Sequence, residues 1–158
     1  MTTERLLPEN QMGPAEKLLD LVVNSSAHLW HNQKKSARMI GVRLVENNVA
    51  TLLEKADLAV DCFDNLASRT MLSTHCRARS IALVHAAISG DGTFGLVRWD
   101  ARFAPDAEDH QGQATCEGGE HLPLIGLVTA ALARAIQDFV GDRRERDFMV
   151  TLSGVTET

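Results

Sequence analysis

The chain contains no tyrosine, and aromatic residues make up only 4% of its 158 positions. That scarcity argues against a surface for stacking nucleic-acid bases, which relies on exposed aromatic rings. A net charge of −5 points the same way, because general nucleic-acid binding needs a basic face to neutralise phosphates. Cysteine is sparse too: Cys62, Cys76 and Cys116 are odd in number and form no C-x-x-C pair. This weighs against a disulfide framework and a cysteine-rich zinc site, and it favours a reducing, cytoplasmic setting. No apolar stretch reaches the roughly 18 to 20 residues of a membrane span. The N-terminal MTTERLLPENQ lacks the apolar segment of a secretory signal. There is no internal repeat and no low-complexity segment. Also missing are a P-loop, a G-x-S-x-G elbow and any glycine-rich phosphate loop that opens a helix after a strand.

What remains is an ordinary globular composition, 44% apolar and 23% charged, long enough for one domain with a sizeable core. Residues 1–14, with Pro8, Gly13 and Pro14, read as a polar arm, and 15–158 as a single domain. LDLVVN (19–24) has the look of a buried strand. SSAHLWHNQKKS reads as a loop running into a helix over ARMIGVRLVEN, capped by Ser36 or Asn32, with VATLLEKA (49–56) a further helical piece. DLAVDC (57–62) is a short β-type run. LASRTMLSTHCRARS follows as a helix capped by Asn65 or Asp64. IALVHAAI (81–88) and TFGLVRWD (93–100) are strands joined by the turn SGDG. Residues 101–120 read as a loop, and LPLIGLVTAALARAIQDFVG (122–141) as a long helix between Pro123 and Gly141. FMVTLSGV is a closing strand.

This alternation predicts an α/β domain with a mostly parallel sheet flanked by helices, and a mixed or antiparallel pair near 81–100. The long helix is apolar around much of its circumference. It therefore needs burial on several sides, in the core or between subunits, and a dimer is expected on that ground.

Asp61 and Asp64 stand three apart where a strand enters a helix. Two carboxylates this close repel unless a cation or donor lies between them, which suits a Mg²⁺–nucleotide site. Asn65 could hydrogen-bond a ligand, and Arg69, one turn on, could reach phosphate oxygens. The competing reading is a capped helix with a surface ion pair, and spacing alone favours it. Cys116 precedes the long helix, whose dipole favours a thiolate and suits a nucleophile, whereas Glu117 and Glu120 disfavour a second negative charge. Cys62 and Cys76 read as small apolar core residues. His28 and His31 have ligand spacing but no third ligand nearby, so no zinc is expected. His85 reads as a hydrogen-bonded core or sheet-edge histidine, and the GDG at 90–92 as a turn.

The order DLAVDCFDNLASRTMLSTHC, LVHAAISGDGTFGLVRWD, TCEGGEHLPLIGLVTAALARAIQDFV resembles the ThiF/MoeB family of adenylating enzymes, related to the activators of ubiquitin and of bacterial sulfur-carrier proteins. The resemblance spans residues 49–140, and SSAHLWHNQKKSA is similar to the family's Arg-Gln loop and lysine-bearing helix. It implies a Rossmann-like fold, shortened at the N-terminus and without the glycine-rich nucleotide loop. In that family ATP adenylates the C-terminal glycine of a small β-grasp protein, with Mg²⁺ held at the aspartate of a D-x-x-D-N motif. The resemblance makes Asp64 the metal-facing carboxylate, supported by Asp61 and Asn65, and puts Cys116 where the family carries its acceptor or persulfide cysteine. Lys34, Lys35 and Arg38 stand as candidate triphosphate partners.

Two family-based expectations follow from the missing loop. One is a ThiF-like binding or scaffold partner that has lost catalysis. The other is a component of an adenylating or sulfur-transfer complex whose nucleotide loop comes from a partner chain. A third reading, outside the family, is a small-molecule-binding α/β domain with a strand-end pocket. The expected partners are a ubiquitin-like or sulfur-carrier protein or another ThiF-like chain, in a homodimer or heterodimer.

Overall fold

A computed structural model describes residues 40–104 and 121–158. The expectations for the N-terminal arm, the strand at 19–24, the HLWH histidines, Lys34, Lys35, Arg38 and Cys116 lie outside the described residues. From Arg43 onward the described residues form one compact unit. Its elements are α1 (Glu46–Leu52), β1 (Leu58–Asp61), α2 (Leu66–Arg79), β2 (Ala82–Ile88), β3 (Phe94–Trp99), a 3-10 turn (Asp100–Arg102), α3 (Leu122–Asp142), β4 (Phe148–Thr151) and β5 (Gly154–Glu157).

Five strands lie side by side in the order β1-β2-β3-β4-β5. The sheet is mixed: β1 and β2 run parallel, and the other three pairings are antiparallel. The mostly parallel sheet expected from the alternation is therefore not what the described strands make. Short connections explain two of the three antiparallel pairings. Ser89–Thr93 and Leu152–Ser153 are too short for the crossover that a parallel neighbour requires, so each closes a hairpin. The second hairpin also splits the single closing strand expected over 148–155 into β4 and β5, with Thr151 opposite Gly154. The antiparallel pair at 81–100 is present as expected.

The helix expected over 37–47 is not found in its described part, because α1 begins only at Glu46. Asn48 accounts for that start. Its Oδ1 accepts the Val45 N–H at 2.9 Å, and its Nδ2 donates to the Arg43 carbonyl at 2.9 Å. Both backbone groups are thereby taken out of a continuing helical ladder. At α2 the cap is Asn65, whose Oδ1 accepts the Ser68 N–H at 2.9 Å.

The two faces of the sheet carry separate clusters. On one, Leu124, Val128, Ala131, Ala135 and Phe139 of α3 pack on Val84, Ala86, Val97, Trp99, Phe148 and Val150. On the other, Leu72 and Cys76 of α2 pack on Ala59 and Leu83. The burial of α3 is one stripe at helical spacing rather than burial on several sides, and Leu122 and Val140 remain exposed at 55% and 69%. By length and composition α3 could cross a membrane, which the sequence reading did not allow for. Here its buried stripe builds the main core.

A second polar anchor joins β3 to β4. Asp147, 5% exposed, accepts the Trp99 N–H at 3.0 Å and both Nε and Nη2 of Arg102. Hydrogen bonding to that carboxylate raises the Arg102 pKa further, against the opposing effect of burial.

At Gly95 the α3 side chain Val128 packs tightly against the sheet. A Cβ there would press into Val128 Cγ2 and lie 3.1 Å from the Ala87 carbonyl oxygen, whereas one at Gly90 would meet nothing. Gly95→Ala is expected to destabilise by about 1–3 kcal/mol through overpacking, with Gly90→Ala close to neutral. Urea unfolding of the two variants checks this, and equal midpoints would refute it.

Candidate functional site

Parallel pairing of β1 with β2 sets Asp61 directly beside His85, on the sheet face that α2 covers. Both are out of solvent, at 0% and 1% exposure. An ionised carboxylate in that position is tolerated only with its oxygens fully bonded. Asp61 Oδ1 accepts the Phe63 N–H at 2.8 Å. Its Oδ2 lies 2.6 Å from His85 Nδ1 and accepts from Arg69 Nη1 at 3.2 Å. Arg69 Nη2 donates to the Phe63 carbonyl and, at 3.5 Å, to the Ala86 carbonyl.

The far edge of the imidazole meets a second carboxylate. His85 Nε2 is 3.0 Å from Asp100 Oδ1, which also accepts from Ser73 Oγ at 2.6 Å. Asp100 Oδ2 accepts from Arg77 Nε at 2.5 Å, and Arg77 Nη2 donates to the Asp100 carbonyl at 3.2 Å. Phe103 lies flat on the His85 ring, centroids 4.0 Å apart and planes 9° from parallel. The same Phe103 ring has the Arg69 guanidinium 5.4 Å from its centroid. The result is a continuous polar chain from the end of β1, across β2, to the segment leaving β3.

The expected site residues divide within this arrangement. Asp61 and Arg69 are turned inward and spent on each other, so the guanidinium expected at phosphate oxygens is engaged inside the protein. Asn65 caps α2 through its carbonyl and donates Nδ2 to Asp64 Oδ1 at 3.2 Å. Asp64 is exposed on the turn. Mg²⁺ typically takes one or two carboxylates plus phosphate oxygens and water, and an exposed Asp64 carboxylate fits one such ligand. No group of three potential metal ligands occurs among the described residues. His85 is the hydrogen-bonded core histidine that the sequence suggested.

Cys62 departs from expectation: it is exposed, not a core residue. Burial alternates along β1, with Val60 exposed between Ala59 and Asp61, and Cys62 falls on the side of Val60. Enclosure of its sulfur and the Asp61 carboxylate nonetheless push its thiol above the ordinary range, with Arg69 pulling the other way. Cys76 is buried as expected, and burial, helped by Asp100, pushes its thiol up to about 11. Neither is an activated nucleophile.

Residues 90–95 spell Gly-Asp-Gly-Thr-Phe-Gly, the spacing of a dinucleotide loop directly after a strand. The segment turns into β3 instead of a helix. It therefore lacks the helix N-terminus that makes such a loop bind phosphate. Asp91 secures the turn, accepting from Ser89 Oγ, Thr93 N–H and Thr93 Oγ1. Those bonds bring its carboxyl down to about 2.

Ser73, Arg77 and Asp100 were missed by sequence reasoning, although one signal was present. Arg69, Ser73 and Arg77 recur every fourth residue along α2, which puts them on one helix face.

The architecture is that of an α/β domain with an acidic turn at the carboxyl end of a strand, where such sheets place their sites. Residues 23–154 match the sequence model of the ThiF family. With well over half of its length matched, the chain belongs to that family, which relates it to the enzymes that adenylate ubiquitin-like and sulfur-carrier proteins. Comparison with curated proteins gives no match.

Asp100 carries a pH dependence. Burial pushes its carboxyl up, but hydrogen bonds from Arg77, Ser73 and His85 outweigh this and leave it below the ordinary value. A lowered folded-state value stabilises above the unfolded pKa of about 4, and that stability is lost as pH falls through the folded value. Asp100→Asn is expected to cost about 1–3 kcal/mol at pH 7 and to flatten the loss of stability below about pH 4. Denaturant titrations from pH 2 to 7 test this. An unchanged acid limb in the variant would refute it.

Proposed function

We propose that this chain is a ThiF-like binding or scaffold partner that does not adenylate on its own. The observation that carries the reading is the state of Arg69, the cation placed one turn after the acidic motif. It pairs with buried Asp61 and two backbone carbonyls rather than facing the exposed turn. Phosphoryl and adenylyl transfer draw their rate from preorganised charge around the phosphates. With Arg69 withdrawn and no helix behind the glycine-rich turn, the site offers among the described residues one exposed carboxylate and little to hold a triphosphate.

The partner in this proposal is a small β-grasp carrier or a second ThiF-like chain. The sheet surface turned away from α3 supports a docking role. Phe94 and Met149 are exposed there at 38% and 40%, and Leu96 stands beside Met149 across the strands. On the same surface Arg98 has a buried Nε with no hydrogen-bond partner. Met149→Asp is expected to weaken association with a β-grasp carrier or ThiF-like chain at least tenfold, an effect of the size found for central interface residues. Far-UV circular dichroism should not change. Undiminished binding by this variant would remove the surface from the proposal.

One observation favours a second reading, in which the chain contributes to an active complex with ATP and Mg²⁺: Asp64 remains exposed. ATP–pyrophosphate exchange separates the two readings. The chain with a β-grasp carrier alone should give none, and any exchange would sink the scaffold proposal. If exchange arises only with a second ThiF-like chain and falls on the order of 100-fold for Asp64→Ala, the component reading holds.

A further inference from the structure

We infer that His85 is a positioning residue: its ring ties the turn bearing Asp64 and Asn65 to the segment that leaves β3 at Asp100, so that the two move as one unit. The significance given to Asp64 rests on the family reading above, whereas the coupling itself is a property of the fold.

Three surfaces of one imidazole carry the argument. Nδ1 contacts Asp61 at 2.6 Å, Nε2 contacts Asp100 at 3.0 Å, and the ring face carries Phe103. Asp61 in turn fixes the first turn residues through the Phe63 N–H, and Arg69 closes back on the Phe63 carbonyl. Asp100 and Phe103 belong to the stretch that follows β3. The charged groups facing this ring are Asp61 with Arg69, and Asp100 with Arg77, while Arg98 is its neighbour across β3.

A neutral imidazole has one donor and one acceptor nitrogen, so only the doubly protonated ring donates to both carboxylates at once. His85 is the one polar side chain in β2. An apolar residue at this position would leave Asp61 and Asp100 without the group that bridges them, and two carboxylates on one face repel.

Amide hydrogen exchange on the full chain, without nucleotide or carrier, tests the coupling. The variants are His85→Gln, Ser73→Ala and Leu83→Ala. Leu83 lies in the same strand and packs in the apolar cluster under α2, so it controls for general destabilisation. His85→Gln should accelerate exchange in residues 62–65 and 101–104 together, by about tenfold or more beyond the Leu83→Ala control, as expected when a local contact is opened. Ser73→Ala, which removes one hydrogen bond from α2 to Asp100, should accelerate both segments by a smaller factor and serves as the readout if His85→Gln does not fold. Acceleration of only one segment, or a pattern equal to that of Leu83→Ala, overturns the inference. Because neither ATP nor carrier enters the measurement, its failure is distinct from failure of the proposed function.

Discussion

The domain is organised around a buried carboxylate–imidazole–carboxylate chain. Ions that leave water for a protein interior lose several kcal/mol of solvation each, even after relaxation. Asp61 withstands full burial only because a backbone amide, an imidazole and a guanidinium all bond to it. That requirement fixes much else. A slip of β1 by one residue would turn Asp61 to the opposite face of the sheet, towards the apolar α3 core. The parallel β1–β2 register is thereby specified by charge as well as by shape. The orientation of α2 is fixed in the same way, since Arg69, Ser73 and Arg77 must all face the sheet together.

The two faces divide the tasks of stability and placement. The α3 face is dry, with Val84, Val97 and Val150 at 0% exposure, and it supplies the larger share of hydrophobic burial. The α2 face holds a smaller apolar cluster and gives its remaining area to the polar chain. Apolar packing is non-directional and tolerates modest rearrangement, whereas hydrogen-bonded charges are specific in angle and distance. A site that depends on the placement of one carboxylate is better supported by the second kind of contact.

Much of this was legible in the sequence, and the reasons are local. Asn65 before an apolar periodic run marks the start of α2, and Pro123 and Gly141 bracket α3 to within a residue. LVHAAI between turn residues reads as a strand, with a histidine that must find partners. Direction and long-range adjacency were not legible. The position of Arg69 could be inferred from spacing, but not that its guanidinium turns towards β1. Asp100 lies 39 positions after Asp61, and only the parallel pairing of β1 with β2 followed by the hairpin to β3 brings both to one imidazole. The late start of α1 was hidden for a similar reason, since Asn48 competes for backbone groups that an uninterrupted pattern would assign to a helix. The ThiF resemblance located the acidic turn, but nothing in it foretold a histidine beneath that turn.

His85 and the direction of Arg69 are two parts of one arrangement. A guanidinium near an acidic turn can serve an incoming phosphate or a resident carboxylate. Phosphate contacts at an exposed turn are screened and share their donors with water. Removing one partner of a buried ion pair costs about 3–5 kcal/mol. Arg69 therefore stays with Asp61 unless another group can carry that carboxylate alone. His85 already contacts it at 2.6 Å, but the same ring is held by Asp100 on its other edge and by Phe103 on its face, which opposes a shift to compensate. As long as the imidazole bridges both carboxylates, the inward state of Arg69 is the stable one.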